Sequence, residues 1–213
     1  MTSSTVRRAS DATETLAERK RAVTRRALAA VALELAVEHG LENVTVPAIA
    51  AAAGVSARTF NNYFSSKEEA VVAPIFDRAT RIVEAFERRP ADEPLWQAVT
   101  SAIVAQFSDE ADVDLGSNAA TRAAMNNPAL RGEQLKACAA IEELLAAAIA
   151  ARGDVPASDI TPRLVAGTAI TAARIAFDHW NDAHTSSTLR AAITQALDIA
   201  GGNFTTLGTQ EIR

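Results

Sequence analysis

Glycine and proline are sparse in this 213-residue chain, nine and seven residues, and where they stand cuts it into helices. Between them Ala, Leu, Glu, Arg and Gln dominate, all strong helix formers. The alternating apolar and polar runs that mark half-buried strands are missing. Spacing predicts a first helix over about Ala17–His39, with Val23, Ala27, Leu28, Val31 and Leu35 three and four apart and Gly40 as its stop. Asp92 with Pro94 opens another helix after Arg89-Pro90, and Asn127-Pro128 opens a long one that closes at Arg152-Gly153. Thr161-Pro162 opens a further one, with Asn or Thr as cap and Pro in the first turn. The last runs from about Ser187 to Gly201-Gly202. The expectation is an all-α chain of about nine helices in total between two polar tails, Met1–Leu16 and Gly208–Arg213.

The stretch from Thr45 to Phe64 is the most informative. Thr45 can cap a helix whose second position, Pro47, needs no amide hydrogen. Gly54 ends that helix after two turns, because it alone adopts the left-handed turn conformation at no steric cost. Ser56 then caps a second short helix, so the pair reads as a helix-turn-helix. Ile49, Ala53, Val55, Phe60 and Tyr63 or Phe64 would fill the angle between the helices, with Ala50 small enough to let them close. Ser56, Ala57, Arg58, Thr59, Asn61 and Asn62 face outward, short polar groups and one arginine that suit a helix in a major groove. Arg pairs with guanine, Asn with adenine, and hydroxyl or methyl groups reach phosphate or thymine.

Charge agrees with that assignment. Residues 1–67 hold nine Lys/Arg against six Asp/Glu, whereas residues 68–213 hold twelve against twenty. A basic end on an acidic protein suits a polyanion partner, although a solvated charged arm has the same composition. Ser66 and Glu69 form a capping box at the start of a long helix. Lys67 falls in its first turn, where the helix dipole disfavours a cation and a phosphate would justify one. Tyr63 is the only tyrosine, and its ring can pack inward while its hydroxyl reaches backbone.

Other classes are harder to sustain. With 48% apolar residues there is material for a core, but no apolar run approaches the roughly 18–20 residues of a membrane span. The polar N-terminus is not a secretory signal, and the one cysteine, Cys138, forbids an internal disulfide and fits a reducing cytosol. No nucleophile elbow, Gly-rich phosphate loop, metalloprotease motif or cysteine cluster is present, so neither an enzyme nor a cofactor is expected. His179 and His184 with Asp178 and Asp182 read as a polar helix end rather than a metal site.

The run Thr45-Val46-x-x-Ile49-Ala50-x-x-Ala53-Gly54-Val55-Ser56-x-x-Thr59-Phe60-x-x-Tyr63-Phe64-x-Ser66-Lys67-Glu68-Glu69 resembles the TetR family of bacterial transcriptional regulators, as does Glu18-Arg19-Lys20-Arg21-x-x-Thr24-Arg25-Arg26, in its actinobacterial form. The resemblance covers about residues 16–72. It implies a three-helix DNA-binding domain followed by a helical domain that binds an effector and dimerises. It also implies phosphate contacts for Thr45, Tyr63 and Lys67. Ala36-Val37 depart from the usual Phe after Leu35, and Asn61 replaces a bulkier residue, so base preference does not carry over. The domain boundaries expected are 1–16 for a flexible basic arm, 17–66 for the DNA-binding domain and 67–213 for the effector and dimer domain.

In that second domain Trp96, Phe107, Met125, Phe177 and Trp180 are candidates to line an apolar cavity, with Arg122 or Arg174 as a polar anchor. Each aromatic also suits plain core. Pro74 is expected to interrupt the helix that starts near Ser66, as a lever between domains or as a surface kink. Cys138 reads as a buried small hydrophobe. Gly167, Ala169, Ala173, Ala192 and Ala196 on the last two helices, beside Leu164, Ile170, Phe177, Ile193 and Leu197, suit a four-helix homodimer interface. The expected function is a cytoplasmic, nucleoid-associated dimeric repressor of a double-stranded DNA operator, released by an apolar or amphipathic small molecule. The alternatives are a helical carrier without DNA function, or a DNA-binding protein with a solid, effector-free core.

Overall fold

The computed structural model describes residues 16–107, 124–153, 156, 159–182 and 188–202. Among these the chain forms eight α-helices and two 3-10 turns, and no strand. The helices are α1 (Leu16–His39), α2 (Val46–Ala52), α3 (Ala57–Asn61), α4 (Lys67–Glu87), α5 (Leu95–Val104), α6 (Arg131–Gly153), α7 (Thr161–Asp182) and α8 (Leu189–Gly201). The basic arm up to Thr15, the tail Gly208–Arg213, Arg122 and His184 lie outside the described residues.

α1 ends where expected, at Gly40 with φ +79°, but its buried face differs from the predicted stripe. Leu28, Ala29, Ala32 and Ala36 are buried, Val31 and Leu35 are half-buried, and Val23 and Ala27 are exposed. Alanine populates every face of this helix, so apolar spacing alone does not choose one.

Caps set the later boundaries. The Thr45 hydroxyl accepts from the Ala48 amide at 3.3 Å and starts α2. At its other end Gly54 has φ +68°, the Val55 amide donates to the Ala50 carbonyl at 2.9 Å and the Gly54 amide to Ala51 at 3.0 Å. That paired closure is a Schellman motif, and it explains why the turn holds glycine. Ser66 accepts from the Glu69 amide at 3.0 Å, but the Glu69 carboxylate returns to the amide and hydroxyl of Ser65, both at 2.7 Å, one residue ahead of the expected reciprocal bond. α4 runs without a break through Pro74, contrary to the expected interruption. Asp92 does not start α5, whose N-cap is Pro94 with no side-chain hydrogen bond. α7 begins at Thr161 as expected, and the carboxylate of Asp159, two residues earlier, accepts from the Thr161 amide at 2.7 Å. That bond holds the Asp159 carboxyl below its usual pKa.

α4 packs against α1, α5 and α6, and α6, α7 and α8 follow as successive neighbours. Two buried cores result. The first gathers Leu28, Ile49, Phe60 and Phe64 from α1–α3 and their connections, Ala70–Ala73 from α4, and Leu130 and Ala137 from around the start of α6. The second gathers Ile82 and Phe86 of α4, Val99 and Ile103 of α5, Ile141 and Leu145 of α6, Ala166 and Trp180 of α7, and Ile193 and Leu197 of α8. α4 and α6 therefore each run through both cores, and Ile75 packs against both. The first core continues past Ser66, the point where the sequence suggests dividing the chain.

Candidate nucleic-acid interface and ligand cavity

α3 has only five residues, too few to hold its shape alone, so its position depends on what lies beneath it. Phe60 is fully buried, with Phe64 beside it at 5.5 Å between tilted ring centroids. Ser56 accepts from the Thr59 amide at 3.0 Å, and the two hydroxyls lie 2.9 Å apart. With Phe60 anchored inward, Ser56, Arg58, Asn61 and Asn62 are exposed and Ala57 and Thr59 half-exposed. Arg58 and Asn61 make no hydrogen bond or ion pair with any described residue, so both side chains are available to a groove. The face offers one planar bidentate donor and two amides, each with donor and acceptor, which is the chemistry that distinguishes base edges.

Around this helix the basic residues divide into two groups. Arg21 donates to the Asn62 carbonyl at 3.3 Å and lies 5.4 Å from the Tyr63 ring centroid, closing the end of α3. Arg25 pairs with Asp77 at 2.9 Å and stacks 4.9 Å over Phe64, while Arg26 is 4.0 Å from the same carboxylate. Much of the positive charge on α1 thus ties α1 to α4 and to the region after α3. The Tyr63 hydroxyl forms no hydrogen bond to any described residue, where backbone contact was expected.

Lys67 has a partner that sequence reasoning missed. Its ammonium donates to the carbonyls of Leu41 at 2.7 Å and Val44 at 2.8 Å, closing the 3-10 turn ahead of α2. These two carbonyls are reason enough for a cation in the first turn of α4. The third N–H of the ammonium makes no hydrogen bond to any described residue.

The second core is indented by a partly open cavity of about 280 Å³. Of the residues predicted for it, Phe107, Arg174 and Phe177 share its wall. Trp96 does not line it, and packs instead on α8, where any Cβ at Gly201 would collide with its indole. Met125 also lies elsewhere, against the first core, with its carbonyl accepting from Gln134 at 2.8 Å. Trp180 is buried in the second core. Sequence reasoning missed Arg78, Arg131, Gln134, Cys138 and Asp178. Their common signal is a polar side chain inside an apolar stripe, as in Ile75-Arg78-Ile82 and Gln134-Cys138-Ile141. Cys138 is half-buried on the wall, and desolvation pushes its thiol pKa up. Arg174 and Asp178 pair at 3.1 Å, and Arg78 stacks 4.2 Å over Phe107.

Among the described residues no helix is long and apolar enough to cross a membrane, and no three metal-ligating side chains cluster. Two family descriptions match the chain: "Bacterial regulatory proteins, tetR family" over residues 28–73 and "MftR C-terminal domain" over residues 93–204. The HTH-type transcriptional regulator TcmR of Streptomyces glaucescens is 36% identical over 172 residues, covering 78% of this chain and 76% of that one. Among solved structures, Thermus thermophilus FadR, a TetR-family repressor in complex with lauroyl-CoA, is similar at TM-score 0.56 and 19% identity, covering 89% of this chain and 96% of that one. The fatty acid degradation regulator FadR from Bacillus halodurans matches at TM-score 0.54 and 18% identity, covering 85% and 96%.

Proposed function

The chain belongs to the TetR family of bacterial transcriptional regulators, and from that premise we propose that it is a homodimeric repressor of a pseudo-palindromic operator, released by a small molecule in the cavity. The proteins it matches are regulators, not enzymes. Thr45, Ser56, Ala57, Arg58, Thr59, Asn61, Asn62, Tyr63 and Lys67 form the DNA surface in this reading. Arg58 and Asn61 read bases, and Thr45, Tyr63 and Lys67 hold phosphates. Phe107, Arg174 and Phe177 belong to the effector site, and the protein acts in the cytoplasm at the nucleoid.

One observation carries the regulatory half of the proposal. α6 contributes Ala137, and the turn before it Leu130, to the core under α3, while Arg131, Gln134 and Cys138 on α6 line the cavity. A ligand that shifts these turns of α6 shifts the floor of the recognition helix, and a solid, effector-free core would contain no such cavity. An effector that prefers the shifted state lowers operator affinity, and DNA lowers effector affinity by the same factor. For dimerisation the support is the exposed apolar stripe of Leu164 and Ile175 on α7, with Leu144 on α6 and Ile160 before α7, 46–72% exposed. On α8, by contrast, Leu189, Ile193 and Leu197 are buried within the protomer. A two-fold dimer places half-sites about 34–36 Å apart or a multiple of that.

Selection of bound sequences from randomised duplex DNA, followed by a salt titration of the winner, tests the reading. A pseudo-palindrome with a steep salt slope is expected. No enrichment from ligand-free, refolded protein would leave only a ligand-binding role.

A further inference from the structure

We propose that the cavity takes an amphipathic anion, with its apolar body among the isoleucines and its acidic head at Arg131. The inference rests on the effector reading above and names the ligand chemistry of that site. Isoleucines from α4, α5, α6, α7 and α8 are the commonest residues of the wall, joined by Phe107 and Phe177. Such a surface favours an apolar body over a bare inorganic anion.

The cavity lining includes four charged side chains. It carries three guanidiniums, Arg78, Arg131 and Arg174, against one carboxylate, Asp178. Asp178 is already paired with Arg174 at 3.1 Å, and Arg78 is held against the Phe107 ring. Arg131 differs from both: it lines the cavity, is exposed at its edge and makes no hydrogen bond or ion pair with any described residue. It also begins α6, where the helix dipole opposes a cation. Lys67 stands in the same unfavourable place on α4, but two carbonyls engage it. No such partner accounts for Arg131. A carboxylate or comparable acid at this edge would receive a bidentate pair from Arg131 and supply its counter-charge. A neutral head would leave Arg131 without a counter-charge, and a cationic head would be repelled by it. Leu135, one turn along α6 and half-exposed on the same wall, continues the apolar surface towards Arg131.

Two matched probe sets test the assignment by calorimetry on the full chain. One set is decanoate, decanol and decyltrimethylammonium; the other is 2-naphthoate and 2-naphthol. Within at least one set the carboxylate should bind about 10- to 100-fold more tightly than its alcohol, with the ammonium compound weakest. Arg131→Gln should bring the carboxylate down to the affinity of its alcohol and leave the alcohol unchanged, which shows that the variant is folded. Arg131→Lys should restore part of the preference. Equal binding of acid and alcohol, or an Arg131→Gln variant that keeps the full preference, overturns the proposal while the effector cavity stands. Binding of no probe in either set overturns the cavity as an effector site, a separate and recognisable failure.

Discussion

Replacing Lys67 by Met keeps the aliphatic stem and removes the ammonium, which separates the phosphate role expected from the sequence from the turn-closing role seen in the structure. In the free protein the ammonium makes two charge-assisted hydrogen bonds, to the Leu41 carbonyl at 2.7 Å and the Val44 carbonyl at 2.8 Å. Both carbonyls belong to residues with buried side chains, between Gly40 and the cap of α2. A hydrogen bond to a charged group is worth about 1.5–3 kcal/mol. Because Lys67 is half-exposed and water can replace part of what is lost, the pair together is worth about 2 kcal/mol, nearer the value of one such bond. For a chain of this size that lowers Tm by about 4–8 °C. Thermal unfolding by circular dichroism without DNA measures this role. The phosphate role has a different readout, since losing one phosphate contact flattens the plot of log K against log salt by about 0.9. A Tm unchanged within a degree would refute the argument from the two carbonyls. A lowered Tm with an unchanged salt slope would confine Lys67 to holding the turn, and the phosphate assignment would fall.

Gly54→Ala should cost about 1–2 kcal/mol, seen as a lower urea midpoint at unchanged m-value, because its φ of +68° strains an L side chain while nothing lies within 4 Å of the new methyl. A neutral result would mean that the turn relaxes to another conformation. Arg58→Ala and Asn61→Ala should each change the preferred base at one or two positions per half-site in a repeated selection, at a cost of about 1–3 kcal/mol per lost bidentate contact. The same selected motif from both variants would remove them as base readers. Cys138 should react with iodoacetamide with a pH midpoint above that of a free thiol, because burial disfavours the thiolate. A midpoint at or below the free-thiol value would show that the cavity wall is wetter than its packing indicates.

The helix-turn-helix was legible because its determinants are local. Thr45, Gly54, Ser56 and Ser66 act on neighbours within a few residues, through caps and one positive φ, and those interactions are written in the order of residues. The buried face of α1 was not legible, because Ala27, Ala29, Ala30 and Ala32 offer apolar surface in every direction. Lys67 misled for a related reason, since its partners Leu41 and Val44 come from a turn more than twenty residues earlier. The cavity was only half legible. Phe107, Arg174 and Phe177 were found by residue type, whereas Arg78 and Arg131 depend on how α4 and α6 rotate against each other. Of the pair Asp92 and Pro94 expected to open α5, Pro94 holds the N-cap position and Asp92 stands outside the first turn.

The two cores threaded by α4 and α6 bear on how such a chain can be recombined. A fragment that stopped at Ser66 would remove Ala70–Ala73, Leu130 and Ala137 from the core that Phe60 and Phe64 share with them, and so leave α3 on an incomplete foundation. A junction placed in the middle of α4 retains the first four of these residues and still loses the last two. Transplanting this DNA specificity onto a foreign sensor therefore means carrying over the opening turns of α6 as well, although nearly sixty residues separate them from Ala73. In this architecture the unit of exchange is a noncontiguous block rather than a stretch of sequence.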